Sequence, residues 1–173
     1  MPLNYLEPRV EVDRREDGSI ILSSPYPMAK PVAQLGHYMR YWAREAPDRA
    51  FLAQRQGDGW QELSFGAVRQ QADALSQALL DRGLGPDRPL MILSPNSLRH
   101  GALTYGAMQV GIPVAPVSPA YCLMSRDFAK LRHIFDLVAP AMIFVEDRGP
   151  FATALESLYL NGIHVLDAAG FDE

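Results

Sequence analysis

Cysteine is almost missing from this sequence: of 173 residues only Cys122 is one, so no internal disulfide can form and no thiolate cluster can hold zinc or an iron–sulfur centre. Lysine is nearly as scarce, confined to Lys30 and Lys130 among sixteen basic residues, and the formal net charge is −4. Basic residues spread this thinly make no stripe or tail that could neutralise a phosphate backbone, so a nucleic-acid partner is not expected. The preference for arginine suits bidentate phosphate recognition, although codon bias gives the same ratio. No stretch approaches the ~20 apolar residues of a membrane span. Met1 to Glu7 shows neither a cationic head nor an apolar run before a cleavage site, so the expected location is cytoplasmic. His37, His100, His133 and His164 fall on separate segments without an i, i+4 pair, and no metal site is expected. What is present, 48% hydrophobic and 21% charged residues, is the make-up of a folded domain with one core.

Residues 1–31 read as an amino-terminal arm. Arg9 to Asp13 and Ser19 to Ser23 alternate about Glu16-Asp17-Gly18-Ser19, which predicts a β-hairpin with glycine where φ is positive. Pro25, Pro27 and Pro31 then break the chain. The body is expected over residues 32–173. Leu35, Tyr38, Met39, Trp42 and Ala46 make a helical stripe stopped by Pro47, and Ala50 to Arg55 with Trp60 to Leu63 predict a second hairpin about Gly57-Asp58-Gly59.

From Ser64 onward helices and strands alternate. Ser64 is an expected N-cap for a helix carrying Phe65, Val68, Ala72, Leu75 and Leu79, closed by Gly83-Leu84. Pro89 to Leu93, Ile112 to Val117, Ala141 to Val145 and Ile163 to Leu166 are short apolar strands. Between them lie helices over Ser97 to Val110, from a Ser125 cap through Val138, and from Pro150 at a first helical position to a Gly162 stop. Short apolar strands separated by amphipathic helices predict an α/β fold, a mainly parallel sheet with helices on both faces.

Ligands of such sheets gather at the carboxyl ends of the strands, so the candidate site residues come from the loops there. Asn96 or Ser97 opens a helix directly after a strand, either as an anion-binding terminus or as an ordinary N-cap. The segment Ser118, Pro119, Ala120, Tyr121 to Ser125 is long and stiffened by prolines, suited to lining a cleft or to packing against a neighbouring domain. Arg148 is a candidate phosphate contact or a surface residue. Cys122 is a nucleophile only if a base lies beside it, and otherwise a packing residue. Gly83-Leu84-Gly85-Pro86-Asp87-Arg88 follows a helix and ends in arginine, so it fails as a dinucleotide motif; no phosphate-loop or nucleophile-elbow pattern occurs. These residues alone support a binding surface without naming a reaction.

The stretch from Leu35 to Ala50, with Ala43-Arg44-Glu45-Ala46-Pro47-Asp48-Arg49-Ala50 at its end, resembles the opening helix of the AMP-forming acyl-CoA synthetase, peptide-synthetase adenylation and luciferase superfamily. Trp60 to Leu84 is similar to the entry into that family's long helix, though Ser64-Phe65-Gly66 replaces the usual Thr-Tyr. Pro89 to Ser97 and Gly106 to Val117 resemble its next strand, turn and core motif, and the match runs in register to Leu166. Within the superfamily, Asp17-Gly18-Ser19, Ser118-Pro119-Ala120-Tyr121 and Asp127 to His133 look most like feruloyl-CoA synthases, which activate hydroxycinnamates.

The resemblance implies a ligase that joins a carboxylic acid to ATP, with Mg2+, and then to CoA. It implies a CoA channel along Ser118 to Tyr121, with Arg148 near the CoA 3′-phosphate. It places the phosphate loop, the adenine site and the catalytic lysine after Glu173, so no catalytic residue is expected in this chain. Expected by itself, the chain is inactive, binds none of these ligands tightly and self-associates through an uncovered surface. A free-standing nucleotide- or CoA-binding domain, an interaction module and another aryl or fatty acid CoA ligase are the competing readings.

Overall fold

The computed structural model describes residues 5–28 and 30–171. The chain divides into two compact units, Met1–Ala33 and Gln34–Glu173. In the first, β1 (Glu11–Arg14) and β2 (Ile20–Ser23) pair antiparallel, with Val12 opposite Leu22. The turn is closed by the Arg15 N–H donating to the Ser19 carbonyl at 2.9 Å, and Gly18 takes φ +83°. Asp17 Oδ1 accepts from both the backbone and hydroxyl of Ser19. All eight strand residues are exposed. The start of the arm, residues 1–4, and the closing residues 172–173 lie outside the described residues.

The second unit opens with α1 (Gly36–Glu45). Its apolar stripe is real but only partly covered: Met39 is buried, while Leu35, Tyr38 and Trp42 keep much of their surface. Next come β3 (Ala50–Gln56) and β4 (Gly59–Ser64), an antiparallel hairpin with a bulge near Phe51. Ser64 Oγ accepts from the Ala67 N–H at 3.2 Å and starts α2 (Phe65–Asp81). The helix ends in a Schellman arrangement: Gly83 at φ +73° donates to Leu80 O, and Leu84 donates to Leu79 O.

Four further strands form a parallel sheet among the described residues: β5 (Leu90–Ile92), β6 (Val114–Pro116), β7 (Met142–Phe144) and β8 (His164–Leu166), in the order β6-β5-β7-β8. The connecting helices are α3 (Leu98–Gln109), α4 (Ala120–Leu123), α5 (Ala129–Val138) and α6 (Arg148–Glu156), with α7 (Ala168–Phe171) after β8. Period-two alternation sends Leu90, Ile92, Met142 and Phe144 to one face, against Leu79, Leu103 and Ala107 of α2 and α3. Met91, Leu93, Ile143 and Val145 go to the other face, against Leu131 and Phe135 of α5 and Phe151 and Leu155 of α6. A sheet apolar on both faces and covered on both is what the short apolar runs predict. None of the described helices is long and apolar enough to cross a membrane.

Four local readings need correction. Ser125 does not cap α5 directly: its Oγ accepts from Phe128 N, Phe128 takes a left-handed φ of +52°, and α5 begins at Ala129. Pro150 is the third residue of α6, not the first, because Asp147 is the N-cap and its carboxylate accepts from Gly149 N. A third-position N–H has no intrahelical acceptor, so proline costs no ladder bond there. Gly162, at φ +82°, belongs to the turn before β8; α6 has already ended at Glu156. The segment after β6, expected as a loop, contains the helical turn α4.

Candidate site at the carboxyl edge of the sheet

β5 leads through α3 to β6 on one side, whereas β7 leads through α6 to β8 on the other. The strand order therefore reverses between β5 and β7, and the loops after those two strands flank the switch point where ligands of open α/β sheets collect. One carboxylate ties these loops together. The Glu146 N–H donates to the buried Ser94 Oγ at 2.5 Å. Ser97 Oγ donates to Glu146 Oε2 at 2.7 Å, and an Arg99 guanidinium N–H donates to Oε1 at 2.8 Å. Ser97 Oγ also accepts from the His100 N–H at 3.0 Å, so the same hydroxyl caps α3 and holds Glu146. The Leu98 N–H donates to Gln54 Oε1 at 3.0 Å. Negative charge does lie before the α3 terminus, as helix electrostatics favour, and it is the chain's own.

Asn96 is exposed beside this network, at the mouth of a groove of ≈ 560 Å³ between β3 and the first turn of α3. Ser118 accepts from the Tyr121 N–H, Pro119 is the N-cap of α4, and Ala120 and Tyr121 lie in its only turn. The Tyr121 ring is half-buried against the core of α5 and α6, with Lys130 Nζ 5.5 Å from its centroid. Cys122 is buried, and burial pushes its thiol up to about 11. A thiol protonated at neutral pH makes a packing residue, not a nucleophile.

Arg148 opens α6, close to the Ser118 segment through the packing of α4 on α6. Its side chain is already engaged: Nε donates to Asp167 Oδ2 at 2.5 Å and the guanidinium also bonds the Val165 carbonyl. Hydrogen bonds from the Gly170 N–H and from Arg148 hold the Asp167 carboxyl below the usual carboxylate range. The candidate loops thus share one edge of the sheet, but Arg148 is turned to β8 while Asn96 and Ser97 face β3. Glu146 and Arg99 escaped sequence reading because nothing local marks a pair 47 residues apart; the placement of Glu146 directly after a strand was the one available signal.

This sequence matches the AMP-binding enzyme family over residues 39–171. The chain belongs to that family. A relative of this AMP-binding family chain, the salicylyl-CoA synthase / salicylate adenylyltransferase of Streptomyces sp, is 30% identical over 87 residues, 50% of this chain and 15% of that enzyme. The fatty acyl-adenylate ligase of Legionella pneumophila, solved with acyl adenylate and pyrophosphate, superposes with a TM-score of 0.63 at 15% identity, over 81% of this chain and 23% of that one. The NpsA N-terminal subdomain of Klebsiella oxytoca gives 0.61 at 16% identity over 80% of this chain and 31% of that one. At such identities the two structures show the shared fold. The chain spans between 1% and 15% of the length of the curated relatives it matches.

Proposed function

We propose that this AMP-binding family chain is part of an ATP-dependent acid–CoA ligase acting on a hydroxycinnamate such as ferulate. In that reaction a substrate carboxylate attacks the α-phosphate of Mg-ATP, forming an acyl adenylate and releasing pyrophosphate. The CoA thiolate then attacks the acyl carbon, forming the thioester and expelling AMP. Both steps build negative charge that fixed dipoles and cations must stabilise. The observation carrying this reading is the family match over residues 39–171, on a parallel sheet whose candidate loops share one edge.

Among the described residues no cluster of three His, Cys, Asp or Glu gathers, so we assign no magnesium ligand here and derive no step through the metal. In this reading Ser118, Pro119, Ala120 and Tyr121 form a wall of the CoA channel. Arg148 reaches a CoA phosphate only by exchanging Asp167 for it. The relative named for salicylate and CoA supports an aryl acid, and the motif resemblance narrows that to hydroxycinnamates.

The test is ATP–pyrophosphate exchange by the protein expressed from its complete reading frame, with ferulate, salicylate and dodecanoate as acids, followed by chromatography of CoA products. Ferulate-dependent exchange and feruloyl-CoA are expected. Exchange without a thioester in the presence of CoA removes the second step, and absence of exchange with every acid refutes the assignment.

A further inference from the structure

Every polar group of Glu146 is engaged at the carboxyl edge of the sheet. Its N–H donates to the buried Ser94 Oγ at 2.5 Å, and its carboxylate accepts from Ser97 Oγ at 2.7 Å and from Arg99 at 2.8 Å. Its carbonyl accepts from the Ala168 N–H at 3.4 Å. One residue thus joins the loops that follow β5, β7 and β8. Two positions further on, Arg148 grips the β8 side, with Nε on Asp167 Oδ2 and the guanidinium on the Val165 carbonyl. Asp147 stands between them and caps α6 through the Gly149 N–H. Residues 146–148 therefore form a bridge, tied by the Glu146 side chain to the β5 loop and by the Arg148 side chain to the β8 loop.

The two ties respond differently to a phosphate. A phosphate on Arg148 displaces Asp167, and the bridge then loses its side-chain hold on β8. What still fixes the start of α6 is Glu146, through Ser94, Ser97, Arg99 and its carbonyl bond to Ala168. The charge-assisted bonds of its carboxylate accordingly count for more when Arg148 holds a phosphate than when it holds Asp167. An interaction of unequal strength in two states shifts the equilibrium between them, whereas an equal one shifts nothing.

We infer that Glu146 is a positioning residue for Arg148: it keeps the start of α6 in place while the arginine side chain exchanges Asp167 for a phosphate of CoA. Its loss weakens CoA binding through Arg148 alone. The inference rests on the reading of Arg148 under the proposed function, as a contact for a CoA phosphate.

The test is calorimetric titration of CoA into the protein expressed from its complete reading frame, comparing the parent with Glu146→Ala, Glu146→Gln, Arg148→Ala and the Glu146→Ala/Arg148→Ala pair. Glu146→Ala should raise the Kd for CoA by about tenfold, the scale of one lost charge-assisted bond. Glu146→Gln should recover most of that loss, because its oxygen can accept from Arg99 and its amide can donate to the second lone pair of Ser97 Oγ. In the Arg148→Ala background the alanine at 146 should cost less than about twofold more, since both changes act through one group. Glu146→Asp, one methylene too short to reach both donors, takes the place of an alanine variant that does not fold. A tenfold loss in both backgrounds would reveal general loosening and overturn the inference. So would an unchanged Kd in Glu146→Ala, a glutamine variant as weak as the alanine one, or a parent that binds no CoA. ATP–pyrophosphate exchange on the same preparations keeps the two readings apart. Acid-dependent exchange by a parent whose CoA affinity ignores Glu146 removes the positioning role alone, and absence of exchange with every acid removes the reaction alone.

Discussion

Two glycines of α3 allow the packing of this protein to be tested against helix propensity. Gly101 and Gly106 both lie inside the helix, so alanine at either position should gain about 1 kcal/mol from the lost flexibility of glycine alone. Their surroundings differ. A Cβ on Gly101 would meet Leu52 Cδ1 at 2.8 Å, the far end of a flexible side chain that can rotate away. A Cβ on Gly106 would meet Leu75 Cβ at 2.9 Å and the Ala72 carbonyl at 3.1 Å, atoms fixed to the α2 backbone. Relief there requires α2 and α3 to separate. Separation strains a buried junction in which Ser76 Oγ bonds both the Ala72 and Gly106 carbonyls at 2.7 Å and accepts from Gln109 Nε2 at 2.6 Å. Overpacking costs about 1–3 kcal/mol, and weakening a buried hydrogen bond adds about 1. Rotating Leu52 costs about 1 at most. Gly101→Ala should therefore be near neutral, and Gly106→Ala should lose about 1–3 kcal/mol net of the propensity gain. At a urea m-value of about 2 kcal/mol/M, the midpoints of the two variants should differ by about 1 M. Urea denaturation followed by circular dichroism reads this directly. Equal midpoints would show that the α2–α3 contact yields as readily as the Leu52 side chain, and the close-packing argument would fail.

Cys122, with its thiol raised to about 11 by burial, should resist iodoacetamide in the native protein at pH 8 and react promptly in urea; equal rates by mass spectrometry would contradict its burial. Asp167→Asn should flatten the acid limb of the stability curve. The folded state lowers the Asp167 pKa, so its contribution is present above the ordinary value near 3.9 and is lost as pH falls through the lowered folded value. Melting temperature against pH checks this, and matching acid limbs in parent and variant would refute it.

Features decided within a few residues were legible in the sequence. Ser64 before an apolar periodic run, Gly83-Leu84 after that run, and Gly57-Asp58-Gly59 between alternating segments each correspond to an observed cap or turn. The two misread helix starts share a physical cause: more than one residue could supply the same cap. Ser125 was a sound N-cap by type, but Asp127 Oδ1 accepts from Ala129 N two residues further on, so the helix starts there. Asp147 similarly displaced Pro150 as the start of α6. For α1 the stripe was visible, but its cover was not. Periodicity says which side chains share a face and nothing about how much of that face meets a neighbour.

The candidate site divides along the same line. Ser97 was legible as a helix start, and its hydroxyl accepts from His100 N while donating to Glu146. The partner could not be read, because β5 and β7 become neighbours only when β6 is laid on the far side of β5, and strand order leaves no local trace in composition. The same reasoning governs Arg148. A lone arginine at a strand-to-helix turn looks free for phosphate, yet β8 brings Asp167 and the Val165 carbonyl to it. A phosphate approaching Arg148 must therefore compete with a carboxylate held below its usual pKa by two independent donors. That competition makes Arg148 a clamp on the β8 edge first, and a phosphate contact only where the incoming dianion outweighs Asp167.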